Sequence, residues 1–209
     1  IEYNKFSLGD DRKQAIENIP VPNSSKLMAK FLGIAVFFSK FVPDWARLAA
    51  PLYKTTHKDF VWQPSTAQDI KHDFQLMKLA CVHSLALYFP DYNLQWIART
   101  DASQLGVGGV LFQLRVDDSG ESLQPIYFFG KMFSDPAKAW STIKQEAFAI
   151  FYFCKKMEFY IRGKTFLLET DRRNLLWMEN STDNMVKRMT WFIQQFVTII
   201  RHISGPRNY

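Results

Sequence analysis

The chain has 209 residues, enough for two modest domains or for one large domain. Hydrophobic residues account for 47% of the sequence, including 19 Phe, 8 Tyr and 6 Trp, which predicts packed cores and argues against extended disorder. The net charge of +6 favours a polyanionic partner, nucleic acid ahead of a membrane surface, although a basic soluble surface without such a partner stays open. No apolar run approaches the roughly 20 residues that cross a bilayer.

The first part of the chain carries a helical pattern of apolar residues. Helices are predicted over residues 24–41, 45–53 and 65–81. The first of them follows the break at Pro20 and Pro22 and takes Ser24 or Ser25 as its N-cap. These helices predict a compact subdomain that ends in the turn-rich segment 89–93.

The two cysteines, Cys81 and Cys154, lie within helical patterns and lack the spacing of metal ligands. We therefore predict buried thiols and a reducing compartment. The start of the chain contains neither an initiator Met nor the apolar core of a signal peptide, and is typical of the interior of a longer polypeptide.

From residue 94 onwards, strand patterns alternate with helical patterns. Strands are predicted over residues 94–101, 107–114, 124–133, 165–170 and 197–203, and helices over residues 141–160, 174–178 and 184–196. The turn signal at 117–120 joins the second and third strands as a hairpin, while Ser141 and Gly163 are the expected start and end of the long helix. A right-handed crossover through this helix would lay the fourth strand parallel to the first.

Three carboxylates stand at informative places in this pattern. Asp101 and Asp171 each end an apolar strand, and Glu146 lies early in the long helix. Parallel strands would finish at the same edge of the sheet, which is where such sheets tend to bind ligands. Two strand-end acids and one helix acid could hold a pair of Mg²⁺ ions for phosphodiester hydrolysis. This arrangement indicates metal-dependent phosphoryl chemistry and would equally suit an integrase-like or resolvase-like nuclease.

Glu146 is predicted at the edge of the helix face that packs on the sheet. The apolar residues of that face are Ile143, Ala147, Ile150, Cys154 and Met157. Glu146 is offset from Ile143 by about 60° around the helix axis. An acid on a buried face is costly without a counter-charge or a metal, which favours a ligand role. The alternative is a solvated glutamate at the rim, or a partner for Arg99 or Lys131.

Short motifs in both halves of the chain carry a family resemblance. The first half contains Phe31-Leu32-Gly33-Ile34, Phe41-Val42-Pro43-Asp44, Ala49-Ala50-Pro51-Leu52, Phe60-Val61-Trp62 and Tyr88-Phe89-Pro90-Asp91. The second half contains Thr100-Asp101-Ala102-Ser103, Gly106-Val107-Gly108, Trp140-Ser141-Thr142, Glu146 and Thr170-Asp171. In this order the motifs resemble the thumb region and the RNase H domain of gypsy-type LTR-retrotransposon reverse transcriptases, over nearly the whole chain.

The resemblance implies an α/β (α+β) fold, with an RNase H-like mixed five-stranded sheet and flanking helices after a small helical thumb subdomain. The expected domains are a thumb/connection region at residues 1–90 and an RNase H-like domain at residues 91–209, without the family's C-terminal helix. Asp101, Glu146 and Asp171 would be the metal-binding catalytic acids of an endonuclease that cuts RNA paired to DNA. They would hold two Mg²⁺ ions, for which Mn²⁺ is an expected substitute.

The sequence departs from the family pattern at three places. Where the family usually has His after the third acid, this chain has Arg172. The family continues past residues 205–208 into a helix whose early Asp is a fourth metal ligand, and that acid is absent from this sequence. The polymerase palm is absent as well, and the acids in Leu8-Gly9-Asp10-Asp11 are interpreted as a turn and helix start. No polymerase activity is therefore expected from this chain.

Nucleic-acid binding is expected to depend on charge and shape. In a thumb, Lys26, Lys30 and Lys40 would follow the backbone of a template–primer duplex, and a solvated helix face is the alternative. The basic residues expected to hold phosphates near the acids are Arg172, Arg173, Lys187 and Arg188. Ser103 and Asn174 are expected donors to the 2′-hydroxyl groups that distinguish an RNA–DNA hybrid. Such contacts make binding dependent on salt and largely indifferent to sequence.

Two hypotheses from different classes follow. The first is the thumb and RNase H portion of a retroelement polyprotein, which degrades the RNA strand of a hybrid. Its expected partners are the fingers and palm domains of the same polyprotein. The second is a retroelement-derived binding or architectural module with weak catalysis or none. Neither has a membrane partner, and the expected location is intracellular, in the cytoplasm, a virus-like particle or the nucleus.

Overall fold

The computed structural model of the protein describes residues 5–7, 9–83, 86–170, 181–196 and 198–202. The helix predicted at 174–178 and four of the predicted site residues lie outside the described residues. Those four are Asp171, Arg172, Arg173 and Asn174. No helix in the described part combines the length and the apolar character needed to span a bilayer.

The first part of the chain is mainly helical. Its elements are β1 (Lys5–Phe6), α1 (Asp10–Glu17), α2 (Ser25–Ala35), a 3₁₀ helix (Val36–Phe41), α3 (Trp45–Lys54), α4 (Thr66–Asp69), α5 (Lys71–Val82) and β2 (Leu87–Tyr88). Ser24 caps α2, accepting a hydrogen bond from the Leu27 amide at 3.4 Å, as predicted. The start of α1 at Asp10 confirms the interpretation of this acidic pair as a helix start. The short β1–β2 pairing was not predicted, since two-residue strands carry no periodic signal.

The helix predicted over 24–41 changes type at Val36. Ala35, Phe38 and Phe41 are all buried and recur every three residues. Three residues per turn is the period of a 3₁₀ helix, which keeps these side chains on the core side. The helix predicted over 65–81 is likewise divided, at Ile70, between α4 and α5. Both differences concern helix type and continuity, which the spacing of apolar residues does not resolve.

The second part of the chain forms a mixed sheet with helices. Its elements are β3 (Gln95–Ala102), β4 (Gly106–Asp117), β5 (Gly120–Met132), α6 (Asp135–Lys138), α7 (Thr142–Ile161), β6 (Phe166–Thr170), α8 (Asn184–Ile193) and β7 (Thr198–His202). The five strands of the sheet lie in the order β5-β4-β3-β6-β7. Strands β5, β4 and β3 pair antiparallel, whereas β6 runs parallel to both β3 and β7. The predicted fold class and the parallel crossover through α7 are confirmed.

Two large hydrophobic cores and a smaller third cluster hold these elements together. Alternate residues of the central strands are buried in a core shared with α7 and α8: Trp96, Ala98, Phe166 and Leu168. The helical part forms the second core, which Phe128 of β5 also joins. Cys81 and Cys154 are free and buried in these cores, as predicted, and burial raises the pKa of each thiol to about 12. The helical part therefore packs directly against the sheet.

Glycines in β4 permit unusually close strand contacts beside Asp101. A Cβ atom at Gly109 would lie 2.1 Å from the carbonyl oxygen of Arg99 and 2.6 Å from the Phe129 ring. At Gly106, a Cβ atom would lie 2.3 Å from the carbonyl oxygen of Lys131. Glycine is required at positions 106 and 109 because the neighbouring backbone approaches too closely for a Cβ atom.

Replacement of Gly109 by alanine is expected to lower the free energy of unfolding by about 3 kcal/mol, because a carbonyl held in a sheet cannot move aside. Gly33→Ala is the matched control, since Gly33 is exposed in α2 and a Cβ atom there would meet no atom within 4 Å. This control should gain up to about 1 kcal/mol from the higher helix propensity of alanine. Urea unfolding of both variants measures the difference, and equal effects would contradict a steric role for position 109.

Candidate active site

The ends of β3 and β6 lie at one edge of the sheet. Arg99 of β3 pairs with Glu169 of β6 in parallel register. Asp101 stands two residues beyond this pair on β3, partly buried and opposite Gly108 of β4. Thr170 is the last residue of β6, and Asp171 follows it in the sequence, outside the described residues. The strand pairing required for Asp101 and Asp171 to converge is present, and their convergence itself stays a prediction.

Glu146 occupies a buried position in the second turn of α7. Its side chain is 2% exposed, which shows that the alternative of a solvated glutamate at the rim is wrong. The expected helix face was slightly misplaced, since Ile143 is 38% exposed. Ser141 caps α7 as predicted, accepting a hydrogen bond from the Lys144 amide at 3.4 Å. The helix therefore starts just before Glu146 and turns this acid inwards.

Two threonines precede the strand-end acids. Thr100 and Thr170 are each 1% exposed. Among the described residues, neither hydroxyl oxygen has a hydrogen-bond partner. Buried polar groups of this kind are uncommon in folded proteins and concentrate at functional sites. The Thr-Asp pair occurs twice in the sequence, at 100–101 and 170–171, and this repeat could have indicated the two threonines. Only the aspartates of the two pairs were selected from the sequence.

An ion-pair ladder with a buried glutamate at its centre crosses three strands beside the site. Glu169, which is 1% exposed, accepts a hydrogen bond from the Arg99 Nε at 2.8 Å and a second one from Arg201 of β7. The three residues occupy one row of the sheet, because Glu169 is in register with both arginines. Burial raises the pKa of Glu169, but the hydrogen bonds from the two arginines outweigh this effect, and the net pKa lies below the ordinary range. The ladder fixes the register of the strands that lead to the two aspartates.

The sequence of this region matches a known family. Residues 91–196 match the model of the RNase H-like domain found in reverse transcriptase. The chain belongs to this family. The match covers β3 to α8, and so includes both Asp101 and Glu146.

Curated relatives extend the similarity beyond the RNase H-like domain. The retrovirus-related Pol polyprotein from transposon 297 of Drosophila melanogaster is 27% identical over 197 residues, which cover 93% of this chain and 18% of that protein. The transposon Tf2-3 polyprotein of Schizosaccharomyces pombe is 29% identical over 196 residues, covering 90% of this chain and 14% of that protein. The resemblance to gypsy-type retrotransposon polyproteins is thus confirmed. The chain spans less than a fifth of the length of these relatives.

Solved structures support the same fold. The foamy viral protease-reverse transcriptase in complex with RNA/DNA hybrid matches with a TM-score of 0.76 and 14% identity, over 95% of this chain and 27% of that chain. The same enzyme in complex with dsDNA matches with a TM-score of 0.74 and 15% identity, over 95% of this chain and 42% of that chain. At these identities the likeness concerns the fold.

Within the RNase H-like domain, a salt bridge joins the starts of α7 and α8. Lys144 lies 3.1 Å from Asp183, which caps α8 by accepting hydrogen bonds from the amides of Met185 and Val186. The hydrogen bond from Lys144 and those from the two amides hold the pKa of Asp183 below its ordinary range. Lys144 stands two residues before Glu146 and was not among the basic residues predicted from the sequence to lie near the acids.

The other basic residues predicted for nucleic-acid binding lie in three places. Lys187 and Arg188 are exposed on α8, the helix that Asp183 anchors to the start of α7. Lys26 and Lys30 are exposed on α2 in the helical part, as predicted. Lys40 differs from them, because it is half-buried and its ammonium lies 5.0 Å from the centre of the Phe41 ring. The structure therefore does not place the three lysines in one equivalent row.

Ser103 has a role in the turn after Asp101. Its hydroxyl oxygen accepts hydrogen bonds from the amides of Leu105 and Gly106 at 3.2 and 3.3 Å. The expected contact between Ser103 and a 2′-hydroxyl stays a prediction. In the part of the chain that the structure describes, no group of three or more His, Cys, Asp or Glu side chains is placed to hold a metal ion. The predicted three-acid set includes Asp171, which lies outside that part.

The Glu169 ladder is expected to make stability fall in acid. Because the folded-state pKa of Glu169 lies below that of an unfolded glutamate, its ion pairs stabilise the fold above about pH 4.3. This contribution is lost as the pH falls through the folded-state pKa. Glu169→Gln should therefore be less stable than the parent by about 3 kcal/mol near neutral pH, and the difference should shrink in acid. Thermal unfolding followed from neutral pH into acid measures both effects.

The control for this experiment is Glu158→Gln. Glu158 pairs with Arg162 one turn away on the exposed face of α7, and such exposed pairs contribute less than about 0.5 kcal/mol. A Glu169→Gln variant that is as stable as this control at every pH would show that the ladder does not hold the strands.

Proposed function

We propose that the chain is the RNase H portion of a retroelement reverse transcriptase and hydrolyses the RNA strand of RNA–DNA hybrids. The observation that carries this proposal is the burial of Glu146 in α7, beside a sheet in which the parallel strands β3 and β6 end at one edge. Asp101 lies near the end of β3, and Asp171 is the residue that follows β6 in the sequence. A carboxylate is costly to bury on a helix that packs against a sheet, and a catalytic role accounts for it. Membership of the family supports the substrate class.

Asp101, Glu146 and Asp171 are the residues proposed to hold Mg²⁺, with Mn²⁺ as a substitute. Carboxylate oxygens are hard ligands and suit Mg²⁺, so the donor set of this site fits the ion. When bound, a pair of such ions would lower the pKa of the attacking water and stabilise the leaving 3′-oxygen. The chain itself supplies rigid supports for the acids, since Asp101 lies in a paired strand and Glu146 in a capped helix.

Basic residues around the acids are proposed to hold the phosphates of the duplex. Lys144, Lys187 and Arg188 belong to the joined ends of α7 and α8, while Arg172 and Arg173 follow Asp171 in the sequence. Contacts to phosphates carry no sequence information, so binding should weaken with salt and vary little with sequence. The helical part is proposed to grip the template–primer duplex through Lys26 and Lys30, in a reverse transcriptase completed by fingers and palm domains.

A second candidate function is a nucleic-acid-binding or architectural module that cuts weakly or not at all. The high aromatic content of the chain, 16% of its residues, favours this reading. The two candidates differ in their dependence on Mg²⁺. An enzyme needs the ion for turnover, whereas a binding module should hold a hybrid equally well after Asp101→Asn.

Cleavage of an RNA–DNA hybrid, labelled on the RNA strand, tests the proposal in the presence of Mg²⁺. The parent is expected to cut the RNA strand, and Asp101→Asn and Glu146→Gln should each reduce the rate by more than about 100-fold, beyond the loss typical of an outer-shell partner. Asp118→Asn is the control, because Asp118 is exposed in the turn between β4 and β5 and should cut like the parent.

Binding of the same hybrid is measured in parallel by fluorescence anisotropy. Tight binding without cutting by the parent would exclude the nuclease for this chain and favour the binding module. Cutting that survives Asp101→Asn would show that the assigned acids are wrong.

A further inference from the structure

Two threonine hydroxyl groups stand side by side at the ends of β3 and β6. Arg99 pairs with Glu169 in parallel register. Thr100 and Thr170 are the next residues on the same two strands and therefore continue this register. Both side chains are 1% exposed, and among the described residues neither hydroxyl oxygen has a hydrogen-bond partner. Native proteins usually satisfy a buried polar group that no protein group reaches with an ordered water molecule.

Both threonine side chains face α7. Side chains alternate between the two faces of a sheet along each strand. Ala98 and Leu168 stand two residues before the threonines, and both belong to the core that the sheet shares with α7. Thr100 and Thr170 therefore lie on the same face of the sheet, where this core reaches the candidate active site.

Glu146 approaches the same place from the helix. Its side chain is 2% exposed, and Ile150, one turn further along that side of α7, lies in the shared core. Ala149 packs in a cluster with Val107 of β4, which is opposite Ala102 at the end of β3. The second turn of α7 therefore lies over the strand ends that carry the two threonines.

The spacing of parallel strands matches one bridging water molecule. Neighbouring strands are roughly 4.8 Å apart, and in-register side chains on one face keep about this separation. Two hydroxyl groups hydrogen-bond directly at about 2.8 Å, so Thr100 and Thr170 are too far apart for a direct bond. A water oxygen about 2.8 Å from each hydroxyl spans this separation with an angle of roughly 118°, close to the tetrahedral arrangement of hydrogen bonds around water.

We propose that Thr100 and Thr170 hold one ordered water molecule between the sheet and α7, and that this water positions the carboxylate of Glu146. The two hydroxyl groups donate to the water oxygen, and the water donates a hydrogen bond to Glu146. The effect of this water on hydrolysis rests on the proposed function, in which Glu146 is a ligand of Mg²⁺. The threonines are positioning residues, since they act through Glu146 and do not touch the substrate.

Valine and serine substitutions test the two hydroxyl groups. Valine has nearly the shape of threonine but lacks the hydroxyl, whereas serine keeps it. Thr100→Val and Thr170→Val are each expected to weaken Mn²⁺ binding about 10-fold, the loss typical of a group that orients a metal ligand. Thr100→Ser should bind Mn²⁺ like the parent. Electron paramagnetic resonance of Mn²⁺ with the full chain, without nucleic acid, measures this affinity.

The double variant Thr100→Val/Thr170→Val tests whether the two hydroxyl groups hold the same water. Either single substitution should already release it, so the double variant should lose no more affinity than one single variant. Losses that multiply would show two independent hydroxyl groups and would overturn the shared water.

Thr190 of α8 provides a matched control. It is also buried, but its hydroxyl donates to the carbonyl oxygen of Val186 at 2.9 Å. Thr190→Val should bind Mn²⁺ like the parent, and its unfolding midpoint should fall at least as far as those of the valine variants at 100 and 170. A loss of Mn²⁺ affinity that follows the unfolding midpoint across all three variants would assign the hydroxyl groups to the fold alone and overturn the inference.

A high-resolution crystal structure of the full chain tests the water itself. Density for one water within hydrogen-bond distance of both threonine hydroxyl groups and of Glu146 is expected. Threonine hydroxyl groups bonded directly to protein atoms, with no water between them, would refute the proposal.

Cleavage of the hybrid separates this inference from the proposed function. In a parent that cuts, Thr100→Val should lower kcat about 10-fold and leave KM for the hybrid unchanged, because a positioning residue makes no contact with the duplex. A parent that does not cut, but holds the water and binds Mn²⁺ through the hydroxyl groups, would refute the nuclease and leave the inference standing. A parent that cuts no faster than Thr100→Val, with equal Mn²⁺ affinity, would overturn the inference and leave the nuclease standing.

Discussion

The parallel pairing of β3 and β6 is the constraint on which the candidate site depends. The antiparallel strands β5, β4 and β3 follow one another along the chain, whereas β6 reaches β3 only through the crossover made by α7. The same helix carries Glu146 on its buried side. One connection therefore determines both the position of Glu146 and the alignment of the ends of β3 and β6. Glu169 then holds β6 between β3 and β7 through two arginines, and a shift of one residue would turn its carboxylate away from both.

The helical part is joined to the sheet by apolar packing. Phe128 of β5 contributes to the helical core, and Trp45 lies beside Gly130 of the same strand. A cavity with Lys131 and Lys156 lies at this junction, so its walls come from both parts of the chain.

Much of the local structure could be read from the sequence because it follows from short-range chemistry. Ser24 and Ser141 cap helices where their hydroxyl groups accept amide hydrogen bonds, and Gly163 follows the last turn of α7 with a positive φ of 77°. The position of Asp101 near the end of β3 was equally readable from the apolar run before it. The exposure of Ile143 and the 3₁₀ helix that starts at Val36 could not be read from the sequence, because both depend on which side of the helix contacts a neighbouring element.

The sequence by itself determined the family and the order of the longer strands and helices, since motifs and periodicity are properties of neighbouring residues. It also supplied the three acids of the proposed site. Only the tertiary structure decided which distant charges meet. Glu169 and Arg99 are seventy residues apart in the chain, and Lys144 and Asp183 thirty-nine, yet each pair is in direct contact. The cavity between the helical part and the sheet likewise has walls from the 3₁₀ helix, from α3 and the turn after it, from β5 and from α7. Such contacts arise from strand register and packing, which act across the chain and leave no local pattern to read.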